Sequence, residues 1–139
     1  MKNLVLFIAI AAINLMTHAQ DTEGITITVT VPNISGSEGS ILFGLYNENT
    51  FMKAPPIQSA KGKIEDGSTK ITFTNVVEGE YAISCFHDTN NNKRIDFEEN
   101  GMPKENYGVS NNNMSYGPPL WNDSKFKVGS EDITLNIRL

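Results

Sequence analysis

Cysteine occurs once, at Cys85, so no internal disulfide can form. Outside the reducing cytosol, such a fold must rest on its core, with or without an ion. Cys85 sits inside an apolar strand pattern and reads as a small buried hydrophobe rather than a reactive thiol. Basic runs are missing too. With 11 Lys and Arg against 16 Asp and Glu, the formal net charge is −5. That leaves no electrostatic footprint for nucleic acid and no polybasic cluster for anionic lipid. No G-x-S-x-G, H-E-x-x-H, C-x-x-C or phosphate-cradling glycine motif occurs. No window of a dozen residues repeats its apolar positions at a helical period.

Long apolar runs are also scarce. The one present, Leu4 to Met16, is broken only by Asn14. Lys2 precedes it, and Thr17-His18-Ala19 follows with a small residue at its end. The run is too short to span a bilayer comfortably. It predicts a secretory leader over residues 1–19 and one domain over 20–139, periplasmic or secreted, with no membrane span after leader removal. No cysteine follows the run to carry a lipid.

What is abundant is strand pattern. Residues 25–31 read Ile-Thr-Ile-Thr-Val-Thr-Val, a strict alternation that buries Ile25, Ile27, Val29 and Val31 and turns threonines outward. Further strands are predicted at 41–46, 70–74, 80–87, 125–128 and 133–139, the last with Ile133, Leu135, Ile137 and Leu139 inward. A seventh fits within 51–66, an irregular or edge stretch with Pro55-Pro56 and charges at 61–66. The expected fold is all-β, an antiparallel sandwich of about seven strands, immunoglobulin-like or transthyretin-like. Gly79-Glu80-Tyr81 at a strand entry resembles the corner tyrosine of such sandwiches. Residues 99–123 form a long irregular segment whose aromatics argue against disorder.

The chemistry concentrates where the 80–87 strand ends. His87-Asp88-Thr89-Asn90-Asn91-Asn92-Lys93-Arg94-Ile95-Asp96-Phe97-Glu98-Glu99 sets Asp88, Asn90, Asn92, Asp96 and Glu99 at positions 1, 3, 5, 9 and 12 of an EF-hand-type loop. The Arg94 carbonyl would serve at position 7. A hard cation wants six to eight converging oxygens, and alternate side chains of a tight turn supply them. The ion that fits is Ca2+, bound weakly, at roughly 10⁻⁴–10⁻³ M. Lys93 stands where such loops keep glycine, and a strand rather than a helix leads in. A second reading fits the same residues: an Asx-rich turn whose side chains bond their own backbone without an ion. His87 reads as a strand-end structural residue, since no partner for catalysis is identifiable.

Tyr107, Tyr116 and Trp121, beside Asn111, Asn112 and Asn113, offer a second candidate site. They suit a stacking platform for a sugar or peptide, and equally the pinning of a long loop to a sandwich.

These motifs resemble one family. His87-Asp88, Asn90, Asn92 and Asp96, then Gly101, Pro103, Glu105, Tyr107-Gly108, Ser110-Asn111-Asn112 and Gly117-Pro118-Pro119, resemble the pattern of an exported bacterial family, domain of unknown function 2141. The resemblance covers roughly 25–139. The chain departs from the pattern at Asn91 and Lys93, where the family favours glycine, and at Val109 and Trp121, where it favours phenylalanine. The resemblance implies export and a β-sandwich, and implies no activity. The functional expectation is therefore an exported, non-catalytic binding or structural module. The alternatives are a hydrolase of cell-envelope glycan or peptide using carboxylates of the same loop, and an interaction subunit of an envelope complex. The partners would be cell-envelope glycan or protein, not nucleic acid.

Overall fold

The structure is a computed structural model, which describes residues 24–114 and 116–139. The leader expected over 1–19 lies outside the described residues. Among the described residues, eight strands run in chain order: β1 (Ile25–Val31), β2 (Ser40–Tyr46), β3 (Gln58–Gly62), β4 (Thr69–Val76), β5 (Gly79–Asp88), β6 (Tyr107–Val109), β7 (Phe126–Val128) and β8 (Ile133–Asn136). A 3₁₀ turn (Ser110–Asn112) and a one-turn helix α1 (Trp121–Ser124) lie between β6 and β7.

The strands form two sheets. One has the order β4-β1-β8; the other has β3-β2-β5-β6, with β7 also paired to β5. The alternation of β1 is realised as read: Ile27, Val29 and Val31 are fully buried. They meet Ile41, Phe43 and Leu45 of β2 and Ile83 and Cys85 of β5 in one apolar cluster between the sheets. Ile133, Leu135 and Leu139 pack on that cluster, and Ile137 lies within it. The architecture is the all-β sandwich that the patterns predict.

Two details differ from the reading. The sandwich is not wholly antiparallel, because β8 runs parallel to β1, pairing Ile27 with Ile133 and Val29 with Leu135. Strand direction depends on the crossover, which a local pattern does not encode. The seventh strand, within 51–66, is β3. An eighth, β6, lies inside the segment read as irregular; three residues around Gly108 are too few for an alternation to register.

Tyr81 makes the corner tie. Its hydroxyl donates to the Val77 carbonyl four residues upstream, at 2.9 Å. A second tie closes a gap along β5. β6 covers Ser84–Phe86 of β5, and β7 covers Gly79–Tyr81. Between them the Ile83 amide donates to Ser110 Oγ at 3.0 Å. That hydroxyl in turn donates to the Ser124 carbonyl. A fully buried serine thus supplies the partner that a strand would have supplied.

β5 runs unbroken from the corner tyrosine to Asp88 and projects the next residues off the end of the second sheet. Gly39, at the entry to β2, clears that exit: it sits at φ 72°, and a Cβ there would collide with the Asp88 carbonyl. Among the described residues, no helix is long and apolar enough to cross a membrane.

Candidate functional site

The loop begins on a buried carboxylate. Asp88, the last residue of β5, is 1% exposed. Its Oδ1 accepts from the Asn92 amide (3.2 Å) and its Oδ2 from the Lys93 amide (3.0 Å). Those two donors turn the chain back over the strand end. Asn91 and Lys93 take the left-handed backbone, φ 55° and 64°. The sharp turn therefore falls at the sixth position, where calcium loops keep glycine, and a lysine occupies it at a conformational cost.

The next side chains face one another. Asn90 Nδ2 donates to Asp96 Oδ2 at 2.7 Å. Asn92 Nδ2 donates to both oxygens of Asp96, at 2.9 and 2.8 Å. Asn90 Oδ1 accepts from the Asn92 amide (3.3 Å) and Asn92 Oδ1 from the Arg94 amide (3.1 Å). The side chains of Asn90, Asn92 and Asp96 are thus gathered into one small polar ring, with Asp88 joined to it through the Asn92 amide and Arg94 through its own backbone.

Glu99 stands apart from the ring. Phe97 bridges Pro103, the Glu98 amide bonds the Met102 carbonyl at 2.7 Å, and the Gly101 amide bonds the Glu98 carbonyl at 2.9 Å. Glu99 lies at the tip of that small hairpin, exposed. The interior carboxylate is instead Glu105, 8% exposed, on the chain's return. Its Oε1 accepts from the Thr89 amide (3.3 Å) and its Oε2 from the Asp96 amide (3.4 Å), clamping both ends of the loop. Counting along a linear twelve-residue motif could not reach it. Its place in the Gly101–Gly108 run was the available signal.

Two neighbours complete the base. His87 is buried, and its Nε2 lies 2.7 Å from the Glu38 carbonyl. A carbonyl only accepts, so Nε2 carries the proton and the ring serves as a strand-end tie. Ser40 faces Asp88 across the β2–β5 ladder. It is 4% exposed, and its hydroxyl has no hydrogen-bond partner among the described residues. Among those residues, no group of three or more His, Cys, Asp or Glu side chains is placed to hold a metal ion. The oxygens of Asp88, Asn90 and Asn92 already accept from loop backbone amides, and those of Asp96 from the two asparagine side chains, which is the bonding of an Asx-rich turn.

The aromatic candidates do not converge. Trp121 packs on Phe51, ring centres 5.8 Å apart, in a small outer cluster with Ala82, Val109 and Tyr46. Tyr107 stands on β6 opposite Phe86, and Tyr116 is fully exposed. The asparagines are engaged with backbone. Asn111 Nδ2 donates to the carbonyls of Asp123 and Lys125 (3.1 and 2.9 Å), and Asn113 Nδ2 to that of Asp123 (2.9 Å). Asn112 bonds the Asn136 carbonyl at 2.9 Å and the Arg138 amide at 2.8 Å, tying the last strand to this turn. This cluster pins the segment to the sandwich.

The loop, its Glu105 clamp and the asparagine ties all fall within one stretch of sequence that matches a family model. The model is described as an uncharacterized protein conserved in bacteria (DUF2141), and it matches residues 29–136. The chain belongs to the DUF2141 family. The match takes in every described strand but the first residues of β1, so in this DUF2141 protein the loop belongs to the domain and not to an appendage. No curated protein and no solved structure matches the chain.

Proposed function

We propose that this DUF2141 protein is an exported, non-catalytic module in which the loop 88–96 holds a calcium ion weakly, with Glu105 fixing the loop ends. The observation that carries the reading is the gathering of Asn90, Asn92 and Asp96 into one ring, joined to Asp88 at the end of a rigid strand. A terminal amide exchanges its oxygen and nitrogen by a half turn, so Asn90 and Asn92 can present oxygen to a cation at the cost of the bonds those oxygens accept from the Asn92 and Arg94 amides. Ser40 adds support: a buried hydroxyl without a partner, across from a buried carboxylate, suits a hydrated ion. Export rests on the leader pattern of residues 1–19.

Glu99 is not a ligand in this proposal. Two loop carboxylates, with Lys93 and Arg94 exposed beside them, place the affinity at about 10⁻⁴–10⁻³ M, a range that extracytoplasmic calcium supports. At 10 mM calcium and a dissociation constant near 1 mM, linkage gives about 1.4 kcal/mol of added stability. Thermal melts with calcium, magnesium and chelator test this. A calcium-selective rise that disappears in Asp96→Asn is expected. Melting curves that coincide across the three conditions overturn the proposal.

A further inference from the structure

The outer face of the second sheet carries a groove of about 890 Å³. Alternation explains its floor. Ile41, Phe43 and Leu45 point into the sandwich, so Leu42 and Gly44 point out, with Phe86 paired beside Leu42. Gly44 deepens the groove: a Cβ there would meet the ring of Tyr46, which lies alongside. Met52 and Ile95 of the 88–96 loop add apolar lining.

The rim carries the charge. Lys61, paired with Leu42 from β3, and Lys93, from the loop, both line the groove. Among the described residues neither forms an ion pair. Asp88 is the one acidic lining residue, and both its oxygens are already held by loop amides. A chain of net charge −5 thus directs two unpaired cations at one apolar trough. Lys93 is informative for a second reason. It holds a left-handed backbone, φ 64°, that glycine would hold without strain. Strain of that kind concentrates at ligand clamps.

We propose that this groove binds a small amphipathic anion: an apolar body laid across the strands on Leu42, Gly44 and Phe86, with one carboxylate or similar acidic group between Lys61 and Lys93. From β3 to β5 is two strand spacings, roughly 10 Å, which suits a body of about eight to ten carbons. Charge complementarity selects the anion, since the trough offers no free carboxylate to a cation. The site borders the proposed calcium centre, since Asp88 and Lys93 belong to both. Its floor and Lys61 belong to the sheet, so it can fail or hold independently of calcium.

The experiment uses the folded protein with anilinonaphthalene sulfonate as reporter, in chelator and again in 10 mM calcium. Saturable one-to-one enhancement is expected in both, displaced by decanoate and weakened by salt. Decyltrimethylammonium is expected to compete far less well. Lys61→Glu and Lys93→Glu should each weaken binding roughly three- to tenfold. Lys93→Gly should weaken binding while raising the melting temperature, opposite signs that a merely structural lysine would not give. No saturable signal below the melting transition, equal competition by the cationic amphiphile, or affinity unchanged in both Lys→Glu variants would overturn the proposal. A flat calcium melt with intact decanoate binding sinks the calcium reading alone.

Discussion

The layer between the two sheets and the polar cap at the end of β5 are held together by different forces. Between the sheets, Ile27, Val29, Leu45, Phe73 and Ile83 are fully or almost fully buried and contribute through area removed from water. That force has no direction, so it tolerates a change of shape better than a loss of volume. In the cap, side-chain oxygens of Asp88, Asn90, Asn92 and Glu105 each accept from a backbone amide. Those bonds are directional, and each depends on one atom. The sandwich therefore fixes where the cap stands, while a few polar atoms fix its shape. An ion or a ligand can act on the second without disturbing the first.

The contrast can be broken from either side. The largest effect belongs to the core: Phe73→Ala should cost about 3–5 kcal/mol in urea unfolding, with no dependence on calcium. In the cap, Asp88→Ala strands the amides of Asn92 and Lys93 and should cost about 2–3 kcal/mol. It should also abolish any calcium response, so a retained response would show the cap to be misassigned. The core also carries a pH signature of its own. Burial pushes the Cys85 thiol up to about 12, against a small lowering by the Gly108 backbone. The folded state thus holds a proton that the unfolded chain gives up near 8.5. The stabilising contribution is complete below that value and is lost as pH rises toward 12, at about 1.4 kcal/mol per pH unit. Alkaline unfolding should therefore come later in Cys85→Val than in the parent. The smallest effect runs the other way. Lys93→Gly relieves a left-handed lysine and should stabilise by about 1 kcal/mol, read as a higher melting temperature.

The core was legible because it is local and periodic. Ile-Thr-Ile-Thr-Val-Thr-Val declares both a strand and its buried face without reference to anything else in the chain. The corner tyrosine was legible for a similar reason, since its partner lies only four residues away. The candidate site was half legible. Asp88, Asn90, Asn92 and Asp96 meet because their spacing is that of one tight turn. Glu99 was assigned by continuing the count, but the chain leaves the turn after Asp96 into a separate hairpin, and the count loses its meaning there.

By itself, then, the sequence determined the strands, their inward faces and the polar turn that follows His87, because each depends on residues a few positions apart. Tertiary structure alone decided that β8 would run parallel to β1 and that Glu105 would take the interior place offered to Glu99. It also decided that Ser110 would complete the edge of β5, and that Lys61 and Lys93 would face one trough. Each of these joins chain segments distant in sequence, and their meeting is set by how two sheets share one core.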